Sequence, residues 1–536
     1  MPTLNWLGKK HVVNHHKTVP FHLLRCDESL SYGNADSGNL LVQGDNLLAL
    51  KALLPHYAGQ VKCIYIDPPY NTGNENWVYN DNVNSPEIKN WLTKTVGKEG
   101  EDLSRHDKWL CMMYPRLALL KEFLREDGFV FISLDDNEIA PLKLICEEIF
   151  DAKNFVAQII VESNRRGQTY KQISKNHEYI LCYSRSGKAV LNEIETEGER
   201  LDKHDEWGAY SARELRNRNP KFNRTNRPNL FYPIYIDPQP SISGHHKILQ
   251  EKTADAIETV PLNSTEKESC WRWGQPKLIE SAGLGLKEIY ASQTKNGDWR
   301  VFEKYRKETI TPKSLWTETE FISEQGTSLL RKLGFGELFE FPKPVALIER
   351  IIKISTSPGD LVLDSFCGSG TTGHAVWGLD ENAVSKRTFI LIEMDEHIAQ
   401  NVAAKRLEKV GAAFRFCKLA DGFLASDGSV NKAVRFADMA AHVFFTETGS
   451  PLPKQPKSKS PFLGGYQGRG IYLLYNGILG DKSVNGGNVL THSVAGDLPL
   501  FDGVKIVYGE ACRLQKKALE RYNIVFRHIP YEIKGM

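Results

Sequence analysis

The chain has 536 residues, 41% of them hydrophobic and 25% charged, with a formal net charge of +2. These proportions fit a water-soluble globular protein with room for three to four units of ordinary domain size. The near-neutral balance excludes a globally basic nucleic-acid binder, so any DNA face must be a local patch, and no stretch is apolar enough to span a bilayer or act as a signal peptide.

From the amino terminus, a strand over 39–44, a helix over 46–54 and a strand over 61–67 form a βαβ pattern. The second strand is the apolar run Val61-Lys-Cys-Ile-Tyr-Ile66, and it stops at Asp67-Pro68-Pro69-Tyr70. Such an ending reads as a buried parallel strand whose carboxyl end opens into a cleft. The prolines fix φ and remove two amide donors, leaving carbonyls to accept bonds. A carboxylate, a bare carbonyl and an aromatic face within four residues suit a flat molecule bearing an amino group, which describes a nucleobase. Alone, an Asp-Pro-Pro is better read as a strand end and proline turn. Six asparagines between 71 and 84 begin a stretch to about Asp107 that reads as a lid over the cleft. A helix over 109–125, a strand over 129–134 and a helix over 138–150 follow. Strands near 154–162 and 177–184 are expected to pair antiparallel at the sheet edge, joined by the basic loop Asn164-Arg165-Arg166-Gly167.

Residues 190 to 335 lose this regularity: the strand candidates are short (Phe231 to Ile236), and Trp271, Trp273, Trp299 and Trp316 punctuate the stretch. Arg213, Arg216, Arg218, Lys221, Arg224 and Arg227 place six cations within fifteen residues, against Glu214 alone. Charge runs are usually solvated faces; lying between two regular α/β segments of the chain, this one reads as a phosphate-neutralising patch.

Leu361-Val-Leu-Asp364-Ser-Phe366-Cys-Gly368-Ser-Gly370-Thr371 is again an apolar strand, here entering a glycine turn that opens a helix near Thr371. Glycines let backbone amides approach a ligand, and a helix amino terminus favours negative charge. His374 stands where a phosphate loop needs lysine, which excludes nucleotide triphosphate hydrolysis here. The strand Thr388 to Glu393 ends in an acid 23 residues beyond Gly370, a spacing that suits ribose hydroxyls of an adenosine cofactor. Residues 449–461 are a linker by composition. Beyond them, strands Ile471 to Tyr475, Val504 to Tyr508 and Ile524 to Ile529, with a helix Ala511 to Tyr522, form a small unit without a catalytic constellation. Nine cysteines are dispersed with no Cys-x-x-Cys pair and read as reduced core residues of a cytosolic protein. His15-His16 and His245-His246 read as surface histidines, and no metal is expected.

Taken together and in this order, Asp67-Pro-Pro-Tyr70 and Phe366-Cys-Gly368-Ser-Gly370 resemble the permuted β group of DNA amino-methyltransferases that use S-adenosylmethionine. Leu40-Leu-Val-Gln-Gly-Asp45 resembles that group's strand whose acid touches the cofactor adenine, and Phe341-Pro-Lys343-Pro its segment that closes over the cofactor. Gly128 to Asp136 and Asn176-His-Glu178-Tyr look like its later strands. The opening Leu4-Asn-Trp-Leu-Gly-Lys9 and Asp67 to Gly73 look most like Mod subunits of type III restriction systems. The resemblance covers roughly 1–190 and 335–425.

It implies an α/β fold: a Rossmann-like, mostly parallel sheet with an antiparallel edge hairpin, an inserted α+β target-recognition domain and a small C-terminal α+β domain. The expected boundaries are 1–190 for the catalytic half, 191–335 for the insert, 336–445 for the cofactor half, 446–461 for a linker and 462–536 for a partner or dimerisation domain. It implies that Asp45, Lys343, Asp364, Phe366, Gly368, Gly370, Thr371 and Glu393 hold the cofactor, and that Asp67, Pro68, Pro69 and Tyr70 grip a flipped adenine. Arg165, Arg166 and the cations from Arg213 to Arg227 would meet duplex DNA. It also implies a homodimer and a helicase-nuclease partner. Asp at the first motif position leans to adenine, since the group's cytosine enzymes more often carry Ser. Cytosine amino-methylation, RNA or protein-glutamine methylation, an orphan or other defence methyltransferase, and a silent DNA-recognition subunit remain alternatives.

Overall fold

The computed structural model describes residues 3–72, 105–167, 172–195, 201–240, 244–263, 267–380, 383–425, 427–453, 460–475 and 488–529. Most of the expected lid (73–104) and part of the expected linker (454–459) lie outside them. The chain divides into two compact units, one of Met1–Asn192 with Lys313–Met536 and one of Glu193–Pro312.

The first unit is built on a ten-stranded sheet. In chain order its elements are β1 (His22–Tyr32), β2 (Leu40–Gln43), α1 (Asn46–Tyr57), β3 (Val61–Ile66), α2 (Arg105–Phe123), β4 (Leu124–Leu134), α3 (Ile139–Phe150), β5 (Phe155–Glu162) and β6 (His177–Ser184). After the second unit come β7 (Leu315–Trp316), α4 (Ser323–Lys332), α5 (Val345–Ser355), β8 (Leu361–Asp364), α6 (Thr371–Leu379), β9 (Thr388–Glu393) and β10 (Phe414–Gly422). The spatial order is β1-β10-β2-β9-β8-β3-β4-β6-β5-β7. Strands β10 through β4 run parallel, and β6 pairs antiparallel with both β4 and β5.

The central strands are continuous apolar runs because both their faces are covered. All six residues of β3 are buried, and each fully buried Val or Ile there is worth about 1.5–3 kcal/mol. Helix α1 starts where the Asp45 carboxylate accepts the Leu48 amide at 3.0 Å. Helix α5 buries Leu347, Ile348, Ile351 and Ile352, the spacing of one helical face.

Three expectations change. The outermost strand on the hairpin side is β7, which pairs parallel with β5 as the chain re-enters. The insert therefore ends at Pro312, not 335. Cys26 and Cys417 form a disulfide, because β1 and β10 pair antiparallel and set the two residues opposite each other. The other described cysteines are free. The expected helix from Ala511 begins only at Lys516, since Ala511–Cys512 is a short strand beside Val489–Leu490. The carboxyl-terminal sheet shares a core with the helix Phe436–Thr448: Met439, Val443 and Phe444 pack with Leu463, Ile471, Ile506 and Tyr508.

The second unit is a seven-stranded antiparallel sheet. Trp271 and Trp273 are buried in its core with Ile234, Ile289, Val301 and Leu278 of the helix Gln275–Gly283.

Candidate active site at the carboxyl ends of the parallel strands

Four neighbouring parallel strands, β2, β9, β8 and β3, run into Asp45, Glu393, Asp364 and Asp67. Because they share one direction, all four acids reach the same sheet edge, where open α/β sheets bind ligands.

The glycine turn after β8 is tight and internally bonded. Gly368 (φ 50°) and Gly370 (φ 78°) are left-handed, and a Cβ at Gly368 would come within 2.9 Å of the Phe339 ring. The Gly368 amide donates to Glu393 Oε2 at 2.9 Å, and the Phe366 amide to Asp364 Oδ1 at 3.0 Å. Burial pushes the Asp364 carboxyl up to about 7, against the opposing hydrogen bonds from the Thr372 hydroxyl and the Phe366 amide. Behind the turn, the fully buried Arg406 donates to Ser369 Oγ at 2.9 Å and Thr371 Oγ1 at 2.8 Å. Burial lowers that guanidinium to about 10.

Asp45 is engaged by the protein itself. One carboxylate oxygen caps α1, and the other pairs with Arg116 at 3.1 Å; Arg116 also holds Asn46, which reaches the Ser365 carbonyl at 3.0 Å.

On the other side, Asp67, Tyr70, Lys343 and Glu178 converge. Lys343 Nζ lies 3.1 Å from Asp67 Oδ1, 2.7 Å from the Tyr70 hydroxyl and 3.3 Å from Glu178 Oε2. The Tyr70 hydroxyl donates to Glu178 Oε2 at 3.0 Å. The side chains of Asp67, Lys343 and Glu178 are 16%, 13% and 10% exposed, so these charges meet with little water between them. Burial raises the Asp67 carboxyl, opposed chiefly by the Lys343 ammonium. Burial would lower Lys343, but Asp67 and Glu178 outweigh it and leave the ammonium above its ordinary value. Burial, Asp67 and Glu178 together keep the Tyr70 phenol protonated.

The backbone is held in uncommon conformations beside these groups. Asn71 (φ 56°) follows Tyr70, and Phe341 (φ 57°) precedes the Lys343 segment. Trp109, fully buried on α2, donates to the Pro69 carbonyl at 2.6 Å. Asn71 is secured by the buried Glu138. The carbonyl of Pro342 sits against Gly326 of α4, where a Cβ would approach it to 2.1 Å.

The expected residues thus fall into two groups on adjacent strands, Asp67 to Tyr70 with Lys343 and Asp364 to Thr371 with Glu393, close enough for Asp67 to raise Asp364 further. Lys343, expected over the cofactor turn, is bonded on the Asp67 side. Glu178, Trp109, Arg116 and Arg406 carried no site role in the sequence reading. Only Glu178 left a signal there, as a carboxylate in the Asn176-His-Glu178-Tyr stretch where β6 begins.

The cations expected to meet DNA are less free than their count suggested. In the second unit, Glu214 takes both Arg216 and Arg218 at 2.9 Å, and Glu268 takes Arg224 at 2.7 Å. Arg213 packs on the Tyr305 ring, while Lys221 and Arg227 are exposed. In the first unit, exposed Arg165 donates to the Thr317 carbonyl at 3.0 Å and Arg166 is also exposed. Among the described residues no cluster of His, Cys, Asp or Glu is arranged for a metal ion, and no helix is long and apolar enough to cross a membrane.

The N6_N4_Mtase family model, described as DNA methylase, matches residues 61–405. The EcoPI type III restriction-modification Mod subunit of Escherichia phage P1 is 36% identical over 425 residues, covering 74% of this chain and 64% of that protein. The type II methyltransferase M.KpnI of Klebsiella pneumoniae is 32% identical over 378 residues, covering 70% of this chain and 84% of that one. The chain thus spans less than two thirds of the Mod subunit's length. Among solved structures, the M1.HpyAVI–SAM complex is 16% identical and covers 69% of this chain and 100% of that one, with a TM-score of 0.29.

Proposed function

Because the chain belongs to the N6_N4_Mtase family of DNA methylases, we propose that it transfers a methyl group from S-adenosylmethionine to the exocyclic amino group of adenine in duplex DNA. The observation that carries this reading is the pairing of β3 with β8, which brings Asp67 and the Asp364-to-Gly370 turn to adjoining strand ends.

The turn fits the cofactor. Gly368 and Gly370 turn the chain into a helix amino terminus, Glu393 offers a carboxylate for ribose hydroxyls, and the buried Ser365 hydroxyl lacks a hydrogen-bond partner. S-adenosylmethionine supplies an electrophilic methyl group carried on a sulfonium.

The target base is stacked in the duplex and must leave it, at a cost of a few kcal/mol. Tyr70 offers its ring face to the flipped base, worth roughly 1–3 kcal/mol. Asp67 accepts an amino hydrogen, which orients the nitrogen lone pair, and its negative charge lies where positive charge grows during transfer. The attacking amine is uncharged, so no strong base is needed; the role of Asp67 is orientation and electrostatics.

Duplex DNA is the proposed substrate, met by Lys221, Arg227, Arg165 and Arg166 and by the guanidinium groups that Glu214 and Glu268 release to phosphate. The likeness to a Mod subunit supports a cytoplasmic modification role, with self-association and a helicase-nuclease partner as its further parts. Tritiated cofactor incubated with duplex DNA tests the core of this reading. N6-methyladenine in the digested product is expected; labelled N4-methylcytosine overturns the adenine assignment, and unlabelled DNA overturns the function.

A further inference from the structure

Glu178 stands outside the roles assigned so far, yet it touches two of the residues that carry them. It lies on β6, one strand beyond β4 from Asp67, and its Oε2 accepts the Tyr70 hydroxyl at 3.0 Å while lying 3.3 Å from Lys343 Nζ. One ammonium is therefore shared by two carboxylates, with the tyrosine hydroxyl closing the ring of contacts. A buried carboxylate survives only if it is paired, and here two acids share one cation. With both acids ionised the cluster carries one net negative charge, complementary to a cation formed at the nitrogen beside it.

Asp67 Oδ1 is in ion-pair range of Lys343 but accepts no hydrogen bond, so a substrate amino hydrogen can take that oxygen and weaken its hold on the ammonium. Glu178, already within 3.3 Å, offers the ammonium a second partner at no cost in new burial. We propose that Glu178 is a positioning residue of the methyl-transfer site: it fixes the Tyr70 ring through the phenol and retains Lys343 when the substrate amino group takes its place on Asp67. This rests on the methyl-transfer reading above.

The test is Glu178→Gln, which keeps an acceptor oxygen for the phenol and removes the charge. The charged and titratable groups around Asp67 are Lys343, Glu178, Tyr70, Tyr65 and Asp364. With Glu178 neutral, a negative neighbour is lost and Lys343 settles on Asp67, so the Asp67 carboxyl ionises at lower pH. The expected result is a kcat at least about tenfold lower, the kinetic equivalent of one charged hydrogen bond. The cofactor KM stays near the wild-type value, and the acid limb of the pH–rate profile moves to lower pH. A wild-type kcat overturns the proposal, and so does a reduced kcat with an unmoved acid limb, which marks a structural role only. If Glu178→Gln does not fold, Tyr70→Phe carries the test: it keeps the ring and cuts the link to Glu178 and Lys343, and wild-type kcat overturns the proposal. Wild-type protein that labels no DNA overturns the underlying function and this assignment with it, whereas active wild type with an indifferent Glu178→Gln overturns this assignment alone.

Discussion

Lys343 donates a 2.7 Å hydrogen bond to the Tyr70 hydroxyl across 273 residues of chain. The bond closes the site from the far side of the sequence, and it places a cation 3.1 Å from Asp67. The consequences can be measured.

Asp67→Ala is expected to reduce methyl transfer by at least about 10²–10³, the range seen when one group that stabilises transition-state charge is removed. Cofactor affinity, measured by calorimetry, should stay within about twofold, because the proposed cofactor turn lies after β8 and beside β9, not on β3. Parallel loss of binding and transfer would assign Asp67 a structural role.

Lys343→Met removes the charge that opposes burial at Asp67. The carboxyl then holds its proton to higher pH, and only the ionised form stabilises the growing charge. The acid limb of kcat/KM should move to higher pH, the direction expected when an opposite charge beside a carboxyl is removed. An unmoved limb would mean that Asp67 is not the group titrating there.

Gly326→Ala would ordinarily favour helix α4 by about 1 kcal/mol. Here the new Cβ would stand 2.1 Å from the Pro342 carbonyl oxygen and 2.9 Å from the Lys343 carbonyl carbon, both backbone atoms. Helix or Lys343 segment must shift, at a cost of about 1–3 kcal/mol. Lower melting temperature together with an acid limb displaced in the same direction as in Lys343→Met would show that α4 positions the lysine. A more stable, fully active variant would contradict the close contact.

Asp364→Asn addresses stability in the cofactor-free protein. The Asp364 carboxyl titrates near 7 when folded and near 3.8 when unfolded, so the folded state binds the extra proton between these values. Stability therefore falls as pH rises from about 4 to about 7, by on the order of 4 kcal/mol in total. Asn cannot ionise, and its amide can still accept the Phe366 amide hydrogen. The variant should lose less melting temperature than wild type between pH 5 and pH 8, as read by calorimetry. Parallel melting curves at the two values would remove Asp364 as the cause. The expected outcome would mean that the acid is retained for ligand binding at a cost in stability.

Local chain chemistry made much of this protein legible from sequence. Asp67-Pro-Pro-Tyr70 and Gly368-Ser-Gly370 announce themselves because prolines and glycines restrict or free the backbone at the residues where they stand. The apolar runs that become β3, β8 and β9 likewise carry their own burial. Boundaries were less accessible: β7 is only Leu315–Trp316, too short for any periodicity, and it exists because β5 offers it an edge. The Cys26–Cys417 disulfide depends on the pairing of β1 with β10, which sets two residues 391 apart in sequence opposite each other.

By itself, then, the sequence determined which short segments carry a carboxylate at a strand end, an aromatic beside it and a glycine turn at a helix start, since these follow from bonds between neighbours along the chain. Only the tertiary structure decided who faces whom. Lys343 meets Asp67 and Glu178, Asp45 is spent on Arg116 and a helix cap, and Glu214 absorbs two of the expected DNA-facing arginines. The physical reason is that a side chain's charge state and partners are set by strand order and burial, and both are properties of the assembled sheet.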